Sequence, residues 1–329
     1  MGEKWQKEGM LYSYKKNARE LNKEGGVDPE AIWFDLIRPK PDEAHQVEEA
    51  LNLSLPSYQE MEEIEASSRL YREEGSLFMT VVLIAKADSE NPFLSPVTFL
   101  VANKYLVTVR YADPRSFRIV ERKIERGVES FATGEAVLVG ILEAIVDRLA
   151  DILEKIGREV DEVSKDIFQT PTLKKGKSKR LDELLTTIGK KGDLTAKAKE
   201  SLVSLGRLFI FLTHQIQGIK EKKALVVKVK TLQRDVSSLT DHCAFLLNKI
   251  NFLLDATLGF INIEQNGIIK IFSVAAVIFL PPTVIASIYG MNFIDMPELH
   301  WAFGYPFALV LMVASALLPY FYFKQKGWL

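Results

Sequence analysis

The C-terminal part of the chain contains two long apolar runs separated by a short polar strip. No Asp, Glu, Lys or Arg occurs between Ile271 and Ile294, and between Leu299 and Phe323 the only ionisable residue besides tyrosines is His300. Each run exceeds the roughly 20 apolar residues that a helix needs to cross a membrane. Buried helices of a soluble domain are the alternative, but such helices seldom extend this far without charge. The pattern therefore predicts two membrane-spanning helices.

The charges that flank these runs predict their orientation. Lys270 precedes the first run, and Lys324 and Lys326 follow the second. The connecting strip carries Asp295 and Glu298 but no Lys or Arg. Because basic residues are enriched on the cytoplasmic side of membrane proteins, we expect both termini in the cytoplasm and the strip outside.

The N-terminal third of the chain alternates between strand-like and helix-like segments. Three stretches are rich in β-branched and aromatic residues, which is typical of strands: 31–37, 77–85 and 97–111. Two further stretches have the polar, periodic pattern of surface helices: 41–53 and 57–68. We therefore expect an α/β or α+β domain over about 27–131.

Helical periodicity dominates the middle of the chain. Apolar positions recur at helical spacing over about 134–168, and after a break a second helix is predicted over about 180–217. The glycines of the segment IGKKGD at 188–193 predict an interruption of that helix. A last helix begins near Glu221 and meets no proline before Pro281, so it is expected to continue into the first apolar run. The predicted fold class is α+β: an α/β domain, long antiparallel helices and two C-terminal spans.

One face of the last helix is small or polar where it enters the first apolar run. Eight residues follow one another in alternating steps of three and four, the spacing of a seam on a packed helix: Asn266, Ile269, Ser273, Ala276, Leu280, Thr283, Ser287 and Gly290. The same spacing continues toward the N-terminus through Asn262, Gly259 and Asp255. Small residues favour close helix contact in a membrane, which is one interpretation. The amides and the carboxylate favour the other, a water-filled pore lined by several copies of the chain.

Composition and motifs argue against several classes of protein. The formal net charge of -1 gives no global signal for binding nucleic acid. No G-x-x-x-x-G-K-[ST] loop occurs, so no nucleotide is expected to drive the protein. The single cysteine, Cys243, excludes an internal disulfide, and no second cluster joins it with Asp241 and His242 to complete a zinc site. We predict that the chain is not an enzyme and binds neither a nucleotide nor an organic cofactor.

Two short motifs around the polar strip carry a resemblance to a known family. The sequence YGMNF occupies 289–293 and MPEL occupies 296–299, between the two predicted spans. In this position the pair resembles the CorA family of magnesium transport proteins, and residues 245–329 are similar to its enterobacterial branch. The segments WFDLIRP at 33–39 and MEEIEASSR at 61–69 are similar to the N-terminal domain of that family.

The resemblance implies a homopentamer in the bacterial inner membrane whose first spans line a pore. Gly290, Met291 and Asn292 would form the selectivity filter at the outer mouth, and Asp295 and Glu298 would make that mouth negative. Taken together, the resemblance and the seam place eight residues along the pore: Asn266, Ile269, Phe272, Ser273, Ala276, Leu280, Thr283 and Ser287. An acidic ring near the cytoplasmic entrance of the pore is matched by Asp255.

The same resemblance implies a division of the chain and a set of partners. The cytoplasmic part would consist of an α/β domain at 1–131, a long-helix hairpin at 132–220 and a stalk helix at 221–267. The membrane part would consist of the pore-lining span at 268–292, an extracytoplasmic loop at 293–304 and a second span with a basic tail at 305–329. The expected partners are divalent cations, the lipid bilayer and further copies of the chain, with no nucleic acid among them.

Cytosolic Mg²⁺ is implied as a regulatory ion as well as the transported one, with Co²⁺ and Ni²⁺ as further candidate ions. The candidate regulatory ligands are Asp88 or Glu90 on one subunit and Asp235 or Asp241 on the next. Two alternatives stay open, a Zn²⁺ transporter on the same scaffold and a two-span membrane receptor. The intact GMN and MPEL motifs favour Mg²⁺ over Zn²⁺, and the sequence contains no recognisable output domain for a receptor.

Overall fold

Seven strands and eight helices make up the described part of the chain. The structure, a computed structural model, describes residues 9–15, 18–21, 28, 30–126, 131–169, 177–217, 219, 222–291, 296–297 and 301–327. The strands are β1 Met10–Lys15, β2 Ala18–Leu21, β3 Trp33–Ile37, β4 Leu70–Glu73, β5 Ser76–Ala85, β6 Phe93–Ala102 and β7 Tyr105–Arg110. The helices are α1 Pro41–Leu51, α2 Tyr58–Glu62, α3 Ala66–Arg69, α4 Arg115–Glu125, α5 Gly134–Gln169, α6 Lys177–Ile216, α7 Lys223–Tyr289 and α8 Gly304–Gln325.

All seven strands belong to one mixed sheet with helices on both faces. The strand order is β2-β1-β3-β7-β6-β5-β4, and β3 and β7 form its parallel pair. On one face, Phe34 joins a hydrophobic cluster with Val47 of α1 and Met61 of α2. On the other face, the ring of Trp33 lies 6.3 Å from that of Phe117 of α4. Successive side chains of a strand point to opposite faces, so neighbouring residues of β3 pack into different layers.

The long helices α5, α6 and α7 are joined by buried apolar rows and by ion pairs. Lys191 of α6 pairs with Glu159 of α5, and Lys249 of α7 pairs with Asp161 of α5. The hydrogen bond from Lys249 lowers the pKa of Asp161. The chain divides into two units, one of residues 1–170 with 186–253 and the other of residues 171–185 with 254–329. The predicted fold class is confirmed: an α/β domain is followed by long helices and by two C-terminal apolar helices.

Two serines of α6 cover part of the sheet edge. The strand β4 pairs with β5 only along Ser76–Met79, which leaves the second half of β5 without a neighbouring strand on that side. There the backbone N–H of Ile84 donates to Ser201 Oγ at 3.0 Å, and that of Val82 donates to Ser204 Oγ at 3.0 Å. Unpaired edge groups favour aggregation, so the serine hydroxyls do for this edge what a further strand would do.

Removing one of these hydroxyls is expected to destabilise the sheet edge. In a Ser201→Ala variant the buried Ile84 N–H loses its acceptor, which should lower the free energy of unfolding by about 1–3 kcal/mol. Hydrogen exchange of peptides that cover Thr80–Ala85 should accelerate, and mass spectrometry of the full chain measures it. Ser237→Ala, at an exposed position of α7, is the control and should change neither quantity. Unchanged exchange in Ser201→Ala would show that the edge does not depend on this contact.

Two predicted helices differ from the structure. The interruption predicted at 188–193 is wrong, because α6 continues through it. Gly192 packs there with Ile250 of α7, and Ile188 is buried, so tertiary packing outweighs the roughly 1 kcal/mol that each glycine costs a helix. The single helix predicted over 57–68 is also wrong: it is split into α2 and α3. The backbone of Glu63 turns to an extended conformation, and the following Ile64 is 84% exposed, so no packed face holds the two parts in one helix.

Strands β1, β2 and β4 and helix α4 are absent from the prediction. The strand β1 pairs with β3, which lies about 20 residues later in the chain, and the ring of Tyr14 stacks on that of Trp33 at 4.1 Å. These are long-range contacts, and they stabilise a strand whose own sequence carries only a short apolar pattern.

Candidate functional site

The polar seam of α7 is exposed in the single chain. All eight predicted pore residues are exposed, seven of them on the seam and Phe272 one position beside it: Asn266, Ile269, Phe272, Ser273, Ala276, Leu280, Thr283 and Ser287. The opposite face is mixed, since Val274 is only 3% exposed and Ile278 and Ile285 are half-buried, whereas Ile271 and Ile288 are 67% and 46% exposed. The seam therefore differs from that face by its small and polar side chains, and these can contact water or other copies of the chain.

The hydroxyl group of Thr283 has a defined orientation. Its Oγ1 donates to the backbone carbonyl of Phe279 at 2.8 Å, one turn earlier in α7. The hydroxyl proton is used in that bond, so the oxygen lone pairs remain free as acceptors. Thr283 can accordingly accept a hydrogen bond from water at the exposed seam, but it cannot use the same proton to donate one.

The end of α7 places the first two residues of the predicted filter. The N–H of Gly290 donates to the carbonyl of Ala286 at 3.0 Å, and that of Met291 donates to the carbonyl of Ile288 at 3.2 Å, so the last turn tightens. A Cβ atom added at Gly290 would lie 3.1 Å from the Ala286 carbonyl oxygen. Glycine thus avoids a close contact at this turn. The other candidates of this region, Asn292, Asp295 and Glu298, lie outside the described residues.

Aromatic residues flank α8 at both ends, and they are present in the sequence as Trp301, Phe303, Tyr320 and Tyr322. Near its start the ring of Trp301 lies 6.3 Å from that of Phe303 and 5.8 Å from that of Phe307. Near its end Lys324 Nζ lies 6.0 Å from the centre of the Tyr320 ring. Aromatic girdles of this kind mark the two water interfaces of membrane proteins. The 22 residues of α8 span about 33 Å, which matches the hydrocarbon core, and both α7 and α8 are long and apolar enough to cross a membrane.

The predicted acidic ring and regulatory carboxylates have different surroundings. Asp255 is exposed on α7, and within the described ranges it forms no ion pair. Asp88 is paired with Arg148, and its carboxylate also lies 3.7 Å from Lys155 Nζ and 3.8 Å from Arg115 Nη1. Three cations of the same chain therefore compete with any metal ion for the Asp88 carboxylate.

The three other regulatory candidates are free of such cations. Glu90, Asp235 and Asp241 are exposed and form no ion pair with the part of the chain that the structure describes. Within these same residues a single chain brings together no group of three or more His, Cys, Asp or Glu side chains that could hold a metal ion. A site built from these candidates would therefore need carboxylates from more than one chain.

The environment of Cys243 is that of a buried structural residue. Cys243 is buried, and its Sγ donates to the carbonyl of Thr195 at 3.5 Å. Burial raises the pKa of its thiol to about 11. Metal ligation needs the thiolate, so this environment opposes the use of Cys243 as a zinc ligand.

The comparison with known proteins decides the family. The family model described as CorA-like Mg²⁺ transporter protein matches residues 28–325. The chain belongs to the CorA family. The magnesium transport protein CorA of Haemophilus influenzae is 36% identical over 300 residues, which cover 91% of this chain and 92% of that protein. The protein of the same name from Salmonella typhimurium is 35% identical over 300 residues, with the same two coverages.

A solved structure supports the fold of this CorA-family chain. The complete structure of the CorA magnesium transporter from Methanocaldococcus jannaschii covers 98% of this chain and 98% of its own, with a TM-score of 0.75 and 20% identity. The resemblance to the CorA family and to its enterobacterial members is thus confirmed. The relatives are named as transport proteins, which agrees with the prediction that the chain is not an enzyme. The filter, pore and regulatory positions stay predictions.

Proposed function

We propose that this CorA-family chain forms a homopentameric channel through which hydrated Mg²⁺ enters the cytoplasm. The observation that carries the proposal is the exposed small and polar seam of α7, within a chain whose relatives are named magnesium transport proteins. Five seams around one axis would convert single amides and hydroxyls into rings, which is how ion pathways are built from weak ligands. The same assembly would cover the seam, which is exposed in the single chain.

The chemistry of the seam suits a hydrated dication. Mg²⁺ gives up its water reluctantly, so a pathway that removed all its waters would face a large barrier. Neutral acceptors such as the Thr283 hydroxyl and the Asn266 and Asn292 amides would instead accept hydrogen bonds from the waters of the ion. Binding of this kind is weak enough to release the ion onward. A membrane potential of 100 mV supplies roughly 4.6 kcal/mol for a dication, so transport needs no nucleotide hydrolysis.

The location and the division of the chain follow from the same proposal. The two apolar helices would span the bacterial inner membrane with both termini in the cytoplasm, because the basic residues Lys270, Lys324 and Lys326 flank them on one side. The domain boundaries proposed from the sequence apply in this arrangement, with 1–131 in the cytoplasm and 268–292 as the pore-lining span. Asp255 would then form an acidic ring that raises the local cation concentration at the inner entrance.

Regulation by cytosolic Mg²⁺ is proposed between neighbouring subunits. Glu90, Asp235 and Asp241 are the stronger ligand candidates, because they are exposed and lack a cation partner in the described residues. Asp88 would have to leave Arg148, Lys155 and Arg115 before it could bind a metal ion. Mg²⁺ that binds only the closed arrangement would shift the population toward it, so that rising cytosolic Mg²⁺ reduces further entry.

Flux through reconstituted protein tests the proposed function. Purified full-length protein in liposomes with an internal Mg²⁺ dye and a negative-inside potential should admit Mg²⁺, and Asn292→Ala should change that flux about tenfold or more because it removes a neutral acceptor from the filter. Asn91→Ala, the same change in the turn before β6, is the control and should conduct like wild type. A wild-type preparation that passes Zn²⁺ but not Mg²⁺ would favour the zinc transporter. An intact oligomer that is silent to all divalent ions would favour the receptor.

A further inference from the structure

A cavity of about 530 Å³ lies in the α/β domain, away from the predicted pore residues. Its walls come from three places in the sequence: the turn after β5 (86–89), the first two turns of α4 and the preceding residues (113–122), and the middle of α5 (145–152). Volumes of this size are typical of sites for small organic ligands. All three walls belong to the same one of the two units of the chain.

The cavity is lined by five cationic side chains. Arg115, Arg118 and Arg122 follow one another in steps of three and four, which places them on one face of α4. Lys86 from the β5–β6 turn and Arg148 from α5 complete the set. Against these five positive charges the lining has two carboxylates, which belong to Asp88 and Asp113.

Both carboxylates are already neutralised by arginines. Asp88 is paired with Arg148, and Asp113 lies 2.6 Å from Nη1 of the buried Arg110 and 2.9 Å from Nε of Arg118. Arg122 and Lys86 have no ion-pair partner in the described part of the chain. Among the residues that line the cavity, the five cations therefore outnumber the two carboxylates, which leaves a surplus of positive charge.

The N-terminus of α4 adds backbone donors to the same cavity. Its N-cap residue is Pro114, which provides no capping side chain, and its first turn contains no acidic residue. The nearest carboxylate, that of Asp113 directly before the cap, is already paired with Arg110 and Arg118, so the positive end of this helix favours bound anions. Ser116 also lines the cavity and is only 2% exposed, so its hydroxyl is a further polar group at this end of α4.

The floor of the cavity is apolar. Leu83 and Ile84 of β5 and Ile145, Leu149 and Ile152 of α5 lie beneath the cationic rim. A bare inorganic anion would use the rim alone, whereas a ligand with an apolar or aromatic body would also use the floor. Several arginines match phosphate better than isolated carboxylates, because the guanidinium fork binds phosphate oxygens in pairs.

We propose that this cavity binds a nucleoside polyphosphate, with the phosphates at the α4 arginines and the base over the aliphatic floor. The ligand is bound and not hydrolysed, which agrees with the lack of a phosphate-binding loop in the sequence. It does differ from the expectation that the chain binds no nucleotide. The proposal concerns binding to the α/β domain and does not depend on ion transport.

Equilibrium binding of labelled ATP to full-length protein in detergent, with EDTA present, tests the proposal. We expect saturable binding that weakens with salt, and a Kd at least about tenfold higher in Arg115→Gln/Arg122→Gln, because two charge-assisted contacts are lost. Arg126→Gln is the control: it removes one arginine charge at the C-terminal end of α4, outside the cavity, and should leave the Kd within about twofold. Circular dichroism and elution volume confirm that each variant is folded and assembled.

Three outcomes would overturn the proposal. If wild-type protein shows no saturable ATP binding, the proposed ligand is excluded. The cationic side chains of the cavity would then be expected to pair with carboxylates of a neighbouring subunit. If the double variant and Arg126→Gln bind ATP with equal affinity, the ATP site lies outside this cavity. If inorganic pyrophosphate displaces ATP and binds as tightly as ATP does, the apolar floor contributes nothing to the binding of the nucleoside. None of these readouts involves flux, so they cannot be confused with failure of the proposed channel.

Discussion

Replacing Arg110 by methionine is expected to lower the free energy of unfolding by about 3–5 kcal/mol, since losing one partner of a buried ion pair leaves the other charge uncompensated. Arg110 and Asp35 are both 0% exposed. The guanidinium Nη2 lies 2.8 Å from Asp35 Oδ2, and Nε lies 3.0 Å from Asp35 Oδ1. Nη2 also lies 3.3 Å from Oε1 of Glu121, a second buried carboxylate. The methionine variant would bury the Asp35 carboxylate without its arginine and would remove the same arginine from Glu121.

The charge of Arg110 is held by this network. Burial by itself lowers the pKa of the guanidinium, but the carboxylates of Asp35, Asp113 and Glu121 outweigh that effect and raise the pKa above its ordinary value. The guanidinium also lies 4.6 Å from the centre of the Phe117 ring, which adds a cation–π contact. The network joins β3, β7 and α4, so its loss should loosen the sheet and its covering helix together.

Urea unfolding of the full chain in detergent, followed by tryptophan fluorescence, measures this effect. Trp33 reports on the pair, because its Nε1 donates to Thr108 Oγ1 at 2.9 Å and that hydroxyl donates to Asp35 at 2.6 Å. Arg118→Met is the control: its side chain is 58% exposed with one ion pair to Asp113, so it should cost under about 1 kcal/mol. The double variant Asp35→Leu/Arg110→Met should recover much of the loss. Equal stability of wild type and Arg110→Met would contradict the argument.

Segments whose structure depends on their own sequence could be predicted, whereas those that depend on distant contacts could not. The two apolar helices, α5 and the strands β5 to β7 carry long, regular patterns, and the structure contains them. The interruption predicted at 188–193 is wrong because Gly192 packs against Ile250, which lies far along the chain. The strand β1 is absent from the prediction because it is stabilised by pairing with β3 and by the stacking of Tyr14 on Trp33.

The two candidate sites differ in the same way. The seam could be predicted because all its members lie on one helix, at a spacing that any α-helix presents on one face. The basic cavity could not, although Arg115, Arg118 and Arg122 show helical spacing in the sequence. Its other cations, Lys86 and Arg148, come from separate elements, and only the fold brings them to the same side of α4. The pairing of Asp88 with Arg148 is equally invisible in the sequence, and it weakens Asp88 as a metal ligand.

Replacing Thr283 by lysine is expected to reduce Mg²⁺ flux about a hundredfold or more, because five lysines would then surround the axis of the proposed pore. Each positive charge opposes a dication by roughly 4 kcal/mol at a separation of about 8 Å and an effective dielectric constant of about 20. Thr283→Met has a side chain of similar length without charge, so it separates the steric effect from the electrostatic one. The measurement is flux in the same liposomes, normalised to the amount of assembled protein. Equal flux in the lysine and methionine variants would contradict a pore along the seam.

A chemical version of this experiment addresses the alternative interpretation of the seam, a dry contact between helices. The native thiol of Cys243 is buried, with a pKa raised to about 11, so thiol reagents should spare it. In a Thr283→Cys variant, a cationic thiosulfonate reagent should stop the flux, whereas a small neutral one should leave most of it. The new thiol can react only if water reaches it. An unreactive Thr283→Cys, together with a lysine variant that conducts like the methionine variant, would assign the small residues of the seam to helix packing.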